Sequence, residues 1–201
     1  MAMRVYFSNS VGAEPVSEGN FANPIFFQIN PDVDPDEEKT LYLANERATL
    51  ASDIDAGALS IPILEPGRFA DGGYLVIGRE IVKVLSGAGT TNLGVARAQT
   101  GSVASAHAAG ETVYSGYDYS DITVEYQDIE GTDESAWTRL AWAGGDLDLA
   151  EDGNAITAEA KAYDAVLEFR MRMTVPAGQP VHYKNDLVLR VTAVETQAIP
   201  Y

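Results

Sequence analysis

The sequence predicts an all-β protein, and three observations carry that expectation. Apolar and polar residues alternate with a period of two in several stretches, which puts one face of a strand in a core and the other in water. Helical periodicity is thin: residues 154–164 (NAITAEAKAYD) hold good helix formers at loose apolar spacing and read as one turn or a further strand. The chain also carries 18 Gly and 9 Pro. Such residues cut a chain into short strands joined by turns, the pattern of a sandwich or barrel.

Taken in order, Leu41 and Leu43 mark a short strand at residues 40–44. Residues 50–114 form a run of small residues, tight turns and short apolar strands. Within it Leu59-Ser60-Ile61-Pro62-Ile63 is a strand, Asp71-Gly72-Gly73 a turn, and residues 74–78 and 80–85 a hairpin about Gly78-Arg79. Ser86-Gly87-Ala88-Gly89 turns again, residues 92–96 make the next strand, and residues 111–114 close the unit. Further on, Ile122, Val124 and Tyr126 alternate with Thr123, Glu125 and Gln127. Trp137, Leu140 and Trp142 flank another strand, where a buried Trp is expected to anchor two packed sheets.

The clearest alternation is residues 166–175, with Leu167, Phe169, Met171, Met173 and Val175 on one face and Glu168, Arg170, Arg172 and Thr174 on the other. Pro176-Ala177-Gly178 stops it. The last strand is residues 187–195, with Leu187, Leu189, Val191 and Ala193 inward. Neither flank of the middle unit has many strands with which to close a core alone. The expected organisation is therefore a discontinuous β-sandwich from residues 1–48 and 117–201, with a small β-barrel-like domain at residues 49–116 inserted into it.

The 201 residues are 46% hydrophobic, enough to bury a core, and carry 13 Lys+Arg against 30 Asp+Glu, a formal net charge of -17. A surface that neutralises nucleic-acid phosphates is not built this way, and an anionic membrane surface is disfavoured for the same reason. No apolar run approaches the ~20 residues of a spanning helix, and the first ten residues lack the apolar region of a signal peptide. The absence of Cys removes disulfides, zinc–thiolate sites and thiol nucleophiles. Lysine occurs at positions 39, 83, 161 and 184 only. Few lysines among many carboxylates suit either a chain adapted to high salt or one kept soluble by like-charge repulsion.

The middle segment carries a recognisable pattern. Gly72-Gly73-Tyr74-Leu75-Val76-Ile77-Gly78-Arg79-Glu80-Ile81-Val82 is followed by Gly94-Val95-Ala96-Arg97 and then by residues 100–113, TGSVASAHAAGETV. This resembles a module of structural proteins of tailed bacteriophages and archaeal tailed viruses. Its usual form is a glycine pair, an I-G-x-E strand, an R-G-x-x-G-T turn and an A-H-x-x-G-x-x-V close. Gly78, Glu80, Arg97, Gly101, His107 and Gly110 are its structural positions here. Ala98 stands where the family usually has Gly, and Ser102 where it usually has Thr. The flanks look like an immunoglobulin-like sandwich, a pattern also frequent on virions.

The resemblance implies a tail, neck or capsid-surface component of the virion, assembled in the host cytoplasm. Its implied partners are other virion proteins and copies of itself, with neither nucleic acid nor membrane among them. The alternative is a receptor- or glycan-binding adhesin, using Tyr114, Tyr117 and Tyr119 as loop aromatics beside carboxylates.

Individual residues suggest little chemistry. No phosphate-binding glycine loop, nucleophile elbow or H-E-x-x-H motif occurs, so no catalytic residue, cofactor site or firm metal site is expected. His107 has only small neighbours in sequence and is read as pinning the loop of residues 97–110 by hydrogen bonds. His182 is read as a turn or surface residue. Asp32, Asp34 and Asp36 alternate like the start of a calcium loop, but Glu37 and Leu43 stand where an EF-hand needs Gly and Glu. Asp146, Asp148, Glu151, Asp152 and Asn154 form a second acidic run. Paired carboxylates there could serve glycoside hydrolysis, and a charged hairpin loop is the plainer reading. Residues 21–29 (FANPIFFQI) are apolar enough to dock on another chain.

Overall fold

The computed structural model describes residues 2–17, 22–179 and 186–199. In chain order the strands are β1 (Met3–Tyr6), β2 (Asp36–Asn45), β3 (Arg47–Thr49), β4 (Ser60–Pro62), β5 (Tyr74–Ile77), β6 (Glu80–Ser86), β7 (Asn92–Ala96), β8 (Thr112–Ser115), β9 (Tyr117–Asp128), β10 (Thr138–Trp142), β11 (Ile156–Ala158), β12 (Val166–Thr174) and β13 (Leu187–Gln197). Short 3-10 turns at Gln99–Gly101 and Ser135–Trp137 are the helical elements among the described residues. The fold is all-β, as the alternation predicts, and the segment left open between turn and strand contains β11.

Two of the sheets form a sandwich. One runs β1-β2-β12-β10 and the other β11-β9-β13. The antiparallel register of β2 and β12 sets Phe169 beside Leu41 and Leu167 beside Leu43. Phe169, Met171, Leu41, Leu43 and Leu140 meet Ile122, Val124 and Tyr126 of the opposite sheet in one core. Burying each such side chain contributes ~1.5–3 kcal/mol before chain entropy is counted. Leu187, Leu189, Val191 and Ala193 pack on its margin, on the face that their alternation indicates.

The tryptophans do not anchor the sheets. Trp142 is half-buried, edge-on to Phe169 at 6.0 Å and 77°. Its indole N–H donates to Thr157 O at 2.7 Å, a partner found at the rim of the core. Phe169, which has no polar atom to satisfy, takes the central place.

The third sheet has the order β3-β8-β5-β6-β7-β4, and all its strands lie within residues 47–115. It curls on itself. Leu50 bridges Ile63, Ala51 N donates to Pro62 O, and Leu64 N donates to Thr49 O, both at 2.9 Å, so the chain after β3 runs beside β4. Leu50, Ile61, Ile63, Leu75, Ile77, Val82, Val84, Leu93, Val95 and Val113 fill the interior. The β5–β6 hairpin turns at Gly78-Arg79 as its sequence predicts. Gly78 has φ +59°, the left-handed value that the first central residue of a type II′ turn requires.

The chain passes between sandwich and curled sheet at Glu46 and again at Gly116, and the two crossings are tied together. Ser115 N donates to Glu46 O at 2.8 Å, and Gly116 N to Tyr74 O at 2.7 Å. A Cβ on Gly116 would stand 3.1 Å from the Tyr74 backbone. The buried Asn45 amide donates from Nδ2 to Ser115 O, Tyr117 O and Tyr163 O. Ala198 closes the junction against Val76 and Ile81, flanked by Tyr74 and Tyr163.

Candidate functional site: a buried carboxylate knot

The residues of the sequence pattern converge at one end of the curled sheet. Glu80 opens β6, Arg97 follows β7, and His107 lies in the loop before β8, held to Ile54 by backbone hydrogen bonds in both directions. Arg97 grips the Glu80 carboxylate with two donors, Nε to Oε1 at 2.6 Å and Nη2 to Oε2 at 2.7 Å. This fork geometry gives the strongest class of protein hydrogen bond. Ala98 N donates to Oε1 at 3.2 Å and Ser105 N to Oε2 at 3.0 Å. His107 Nε2 lies 3.1 Å from the same Oε2. The Glu80 side chain is fully buried.

Burial alone would raise the Glu80 pKa. The hydrogen bonds from Arg97, Ser105, His107 and Ala98 outweigh it and hold the carboxyl at about 2. Arg97 spends its remaining donors on the loops, on Asp55 O at 2.9 Å and Ser105 O at 2.6 Å. A carboxylate so saturated is a weak base, and what the arrangement does is fix the connections that precede β8 and β4 around one charge.

The other side of the imidazole is also occupied. His107 Nδ1 lies 3.0 Å from Glu111 Oε2, and Glu111 Oε1 accepts from Ala108 N at 2.8 Å. The Ala108 amide, then His107, lower the Glu111 pKa against the effect of burial. Of the small sequence neighbours of His107, Ser105 also reaches the ring, its Oγ lying 3.2 Å from Nε2. The carboxylates around His107 come from 27 residues upstream and four downstream. Glu111 and Asp53, whose Oδ1 accepts from Ala109 N at 2.7 Å, were not among the sequence candidates. The usable signal for Glu111 was its place four residues after the histidine.

The glycines and the two departures from the family pattern have local explanations. Gly101 and Gly110 both have φ +87°. Ala98 stands in the left-handed region with φ +53° and ψ +46°, the conformation that makes Gly the usual residue there. Ser102 keeps the hydroxyl that Thr would supply. Its Oγ accepts from Ile81 N at 3.0 Å and donates to Gln99 O at 2.8 Å.

The other candidates lie elsewhere. Asp36 belongs to β2 opposite Thr174, while Asp32 and Asp34 bond through their backbone amides to Asn30 in a turn. Among the described residues no three His, Cys, Asp or Glu side chains gather to hold a metal. In the second acidic run, Asp148 pairs with Arg172, Asp152 pairs with Arg139, and the Asn154 amide bonds Leu140. The adhesin reading needs loop tyrosines, but Tyr114 is in β8, Tyr117 and Tyr119 are in β9, and Tyr119 is only 2% exposed. Ile25 and Phe27 pack on the sandwich core of their own chain, leaving Phe26 outward at 53% exposure. His182 lies outside the described residues. Comparison with family models, curated proteins and solved structures finds no match to the chain.

Proposed function

We propose that this protein is a structural component of a tailed virus particle, acting through assembly with other virion proteins and with copies of itself. The observation that carries the reading is the knot. The positions that resemble the virion module, Glu80, Arg97 and His107, spend their hydrogen-bonding capacity on holding loops. That use of a motif belongs to a scaffold. A small curled sheet tied at two crossings to a sandwich is a stiff projection, suited to a repeated place in a lattice where many modest contacts add. The net charge of -17 keeps free subunits apart until they reach that lattice, and its repulsion weakens as salt rises.

The test is compositional. Particles purified by density gradient from a culture that produces the chain should contain it at a fixed ratio to the major capsid protein, read by quantitative mass spectrometry. Its presence in the lysate but absence from intact particles overturns the reading.

A further inference from the structure

We propose that the free edge of β13 is an interface with a second copy of this chain, pairing the two β13 strands antiparallel across a two-fold axis. The argument starts from which sheet edges are already covered. At β10 the Asn154 side chain imitates a neighbouring strand: its Oδ1 accepts from Leu140 N and its Nδ2 donates to Leu140 O, each at 2.8 Å, while Gly153 N donates to Thr138 O. At β1, Val16 N donates to Val5 O and Tyr6 bridges Pro15. At β11, Thr157 O takes the Trp142 indole N–H. The curled sheet meets its own other end. β13, eleven residues long, pairs with β9 alone among the described residues. Long open edges are what proteins ordinarily blunt, because their unpaired amides recruit another strand.

The register shows which groups are open. Ile129 N donates to Asp186 O, and Ala198 N donates to Gly116 O, so even-numbered residues turn their backbone groups toward β9. The amides of Leu187, Leu189, Val191, Ala193 and Glu195 therefore face away from it. The outward side chains are Val188, Arg190, Thr192, Val194 and Thr196, with Val188 42% and Val194 52% exposed. In a chain with 30 carboxylates this row contains none, and Arg190 is matched by Glu125 at 3.6 Å on the neighbouring strand.

A second copy fits that row. With Val191 on the two-fold axis, Val188 of each chain lies opposite Val194 of the other. Arg190 then faces Thr192, and every facing pair of odd-numbered residues can exchange hydrogen bonds. Between Val188 and Val194 the two facing outward rows hold no carboxylate, which suits two chains of charge -17, and Asp186 meets only Thr196 at the ends.

The inference is independent of the virion reading, which particle composition tests separately. The experiment is sedimentation velocity of the full chain over a wide concentration range at high salt. Dimer is expected, with its loss in V188E/V194E, whose side chains are outward, and in V191P, whose missing amide is not one that β9 uses. Circular dichroism should be unchanged in V188E/V194E, which keeps the test valid if V191P fails to fold. A wild-type monomer under all conditions overturns the proposal, as does an oligomer that persists in V188E/V194E. Because the chain has no native Cys, V191C adds a positional check. Mild oxidation should cross-link V191C to itself and leave V188C uncross-linked, and the reverse pattern overturns the register.

Discussion

The curled sheet and the sandwich are held by different physics. Most strands of the curled sheet have three to five residues and the longest, β6, has seven. Much of that unit is loop, and it buries a charged side chain to tie the loops down: Glu80, gripped by Arg97 and His107. The sandwich has strands of nine to twelve residues in β2, β9, β12 and β13. Their ladders and apolar faces suffice, and several of its charged pairs lie toward the surface, such as Arg172 with Glu38 and Asp148 and Arg139 with Asp152. Short strands with long loops need a polar centre, whereas long strands can leave their charges in water.

Removing the knot should break this comparison most sharply. Glu80→Ala leaves Arg97 buried without its partner, a change that costs about 3–5 kcal/mol. Hydrogen exchange should then show lost protection within residues 47–115 and retained protection in β2, β9 and β12. Equal loss in both regions would mean that the Asn45 junction fuses them into one cooperative unit.

Acid should act on the same region next. Glu80 moves from an ordinary 4.5 to about 2 on folding. A lowered carboxyl pKa stabilises the fold fully above the unfolded value, and that contribution disappears as pH falls through the folded value. Between pH 4.5 and about 2 the curled sheet should therefore lose about 3 kcal/mol. Glu111, lowered as well, adds in the same direction. Urea midpoints measured across that range should fall in the wild type and lose most of this slope in Glu80→Gln.

A smaller effect in the opposite direction belongs to Ala98. Its left-handed backbone costs ~1 kcal/mol relative to glycine, so Ala98→Gly should raise stability by about that amount in thermal unfolding. An unchanged or lower midpoint would mean that the added freedom of the unfolded chain cancels the relief. The smallest effect is expected in the sandwich. Arg172→Ala breaks two exposed pairs and should shift the melting temperature little, with the shift vanishing as salt is added. A loss comparable to that of Glu80→Ala would erase the distinction between the two regions.

Much of the fold was legible because strand alternation is a local signal. Residues 166–175 and 187–195 declared their inward faces without reference to any partner, and the Gly78-Arg79 turn declared its hairpin. β2 was less legible: only Leu41 and Leu43 showed, since Asp36–Lys39 look like a charged loop until β12 supplies Thr174, Met173, Arg172 and Met171 alongside. Trp137 and Trp142 suggested an anchor that Phe169 provides instead. The knot was half legible. Glu80, Arg97 and His107 stood out as a pattern, but Asp53 and the Asn45 clamp did not, because they bond backbone groups that any sequence carries, and Glu111 showed only through its spacing from His107.

An all-β chain, its turns, the inward faces of its longest strands and its strongly acidic composition are all written in residue order. These follow from side-chain period, glycine backbone freedom and charge count, all of which are readable residue by residue. What residue order does not reveal is that the middle sheet curls onto itself, that Glu80 collects its donors from residues 97–107 of the β7–β8 connection, and that β13 pairs with β9 alone among the described residues. Those features depend on which distant segments share space, and desolvation together with hydrogen-bond direction acts on that spatial neighbourhood and not on the order of residues.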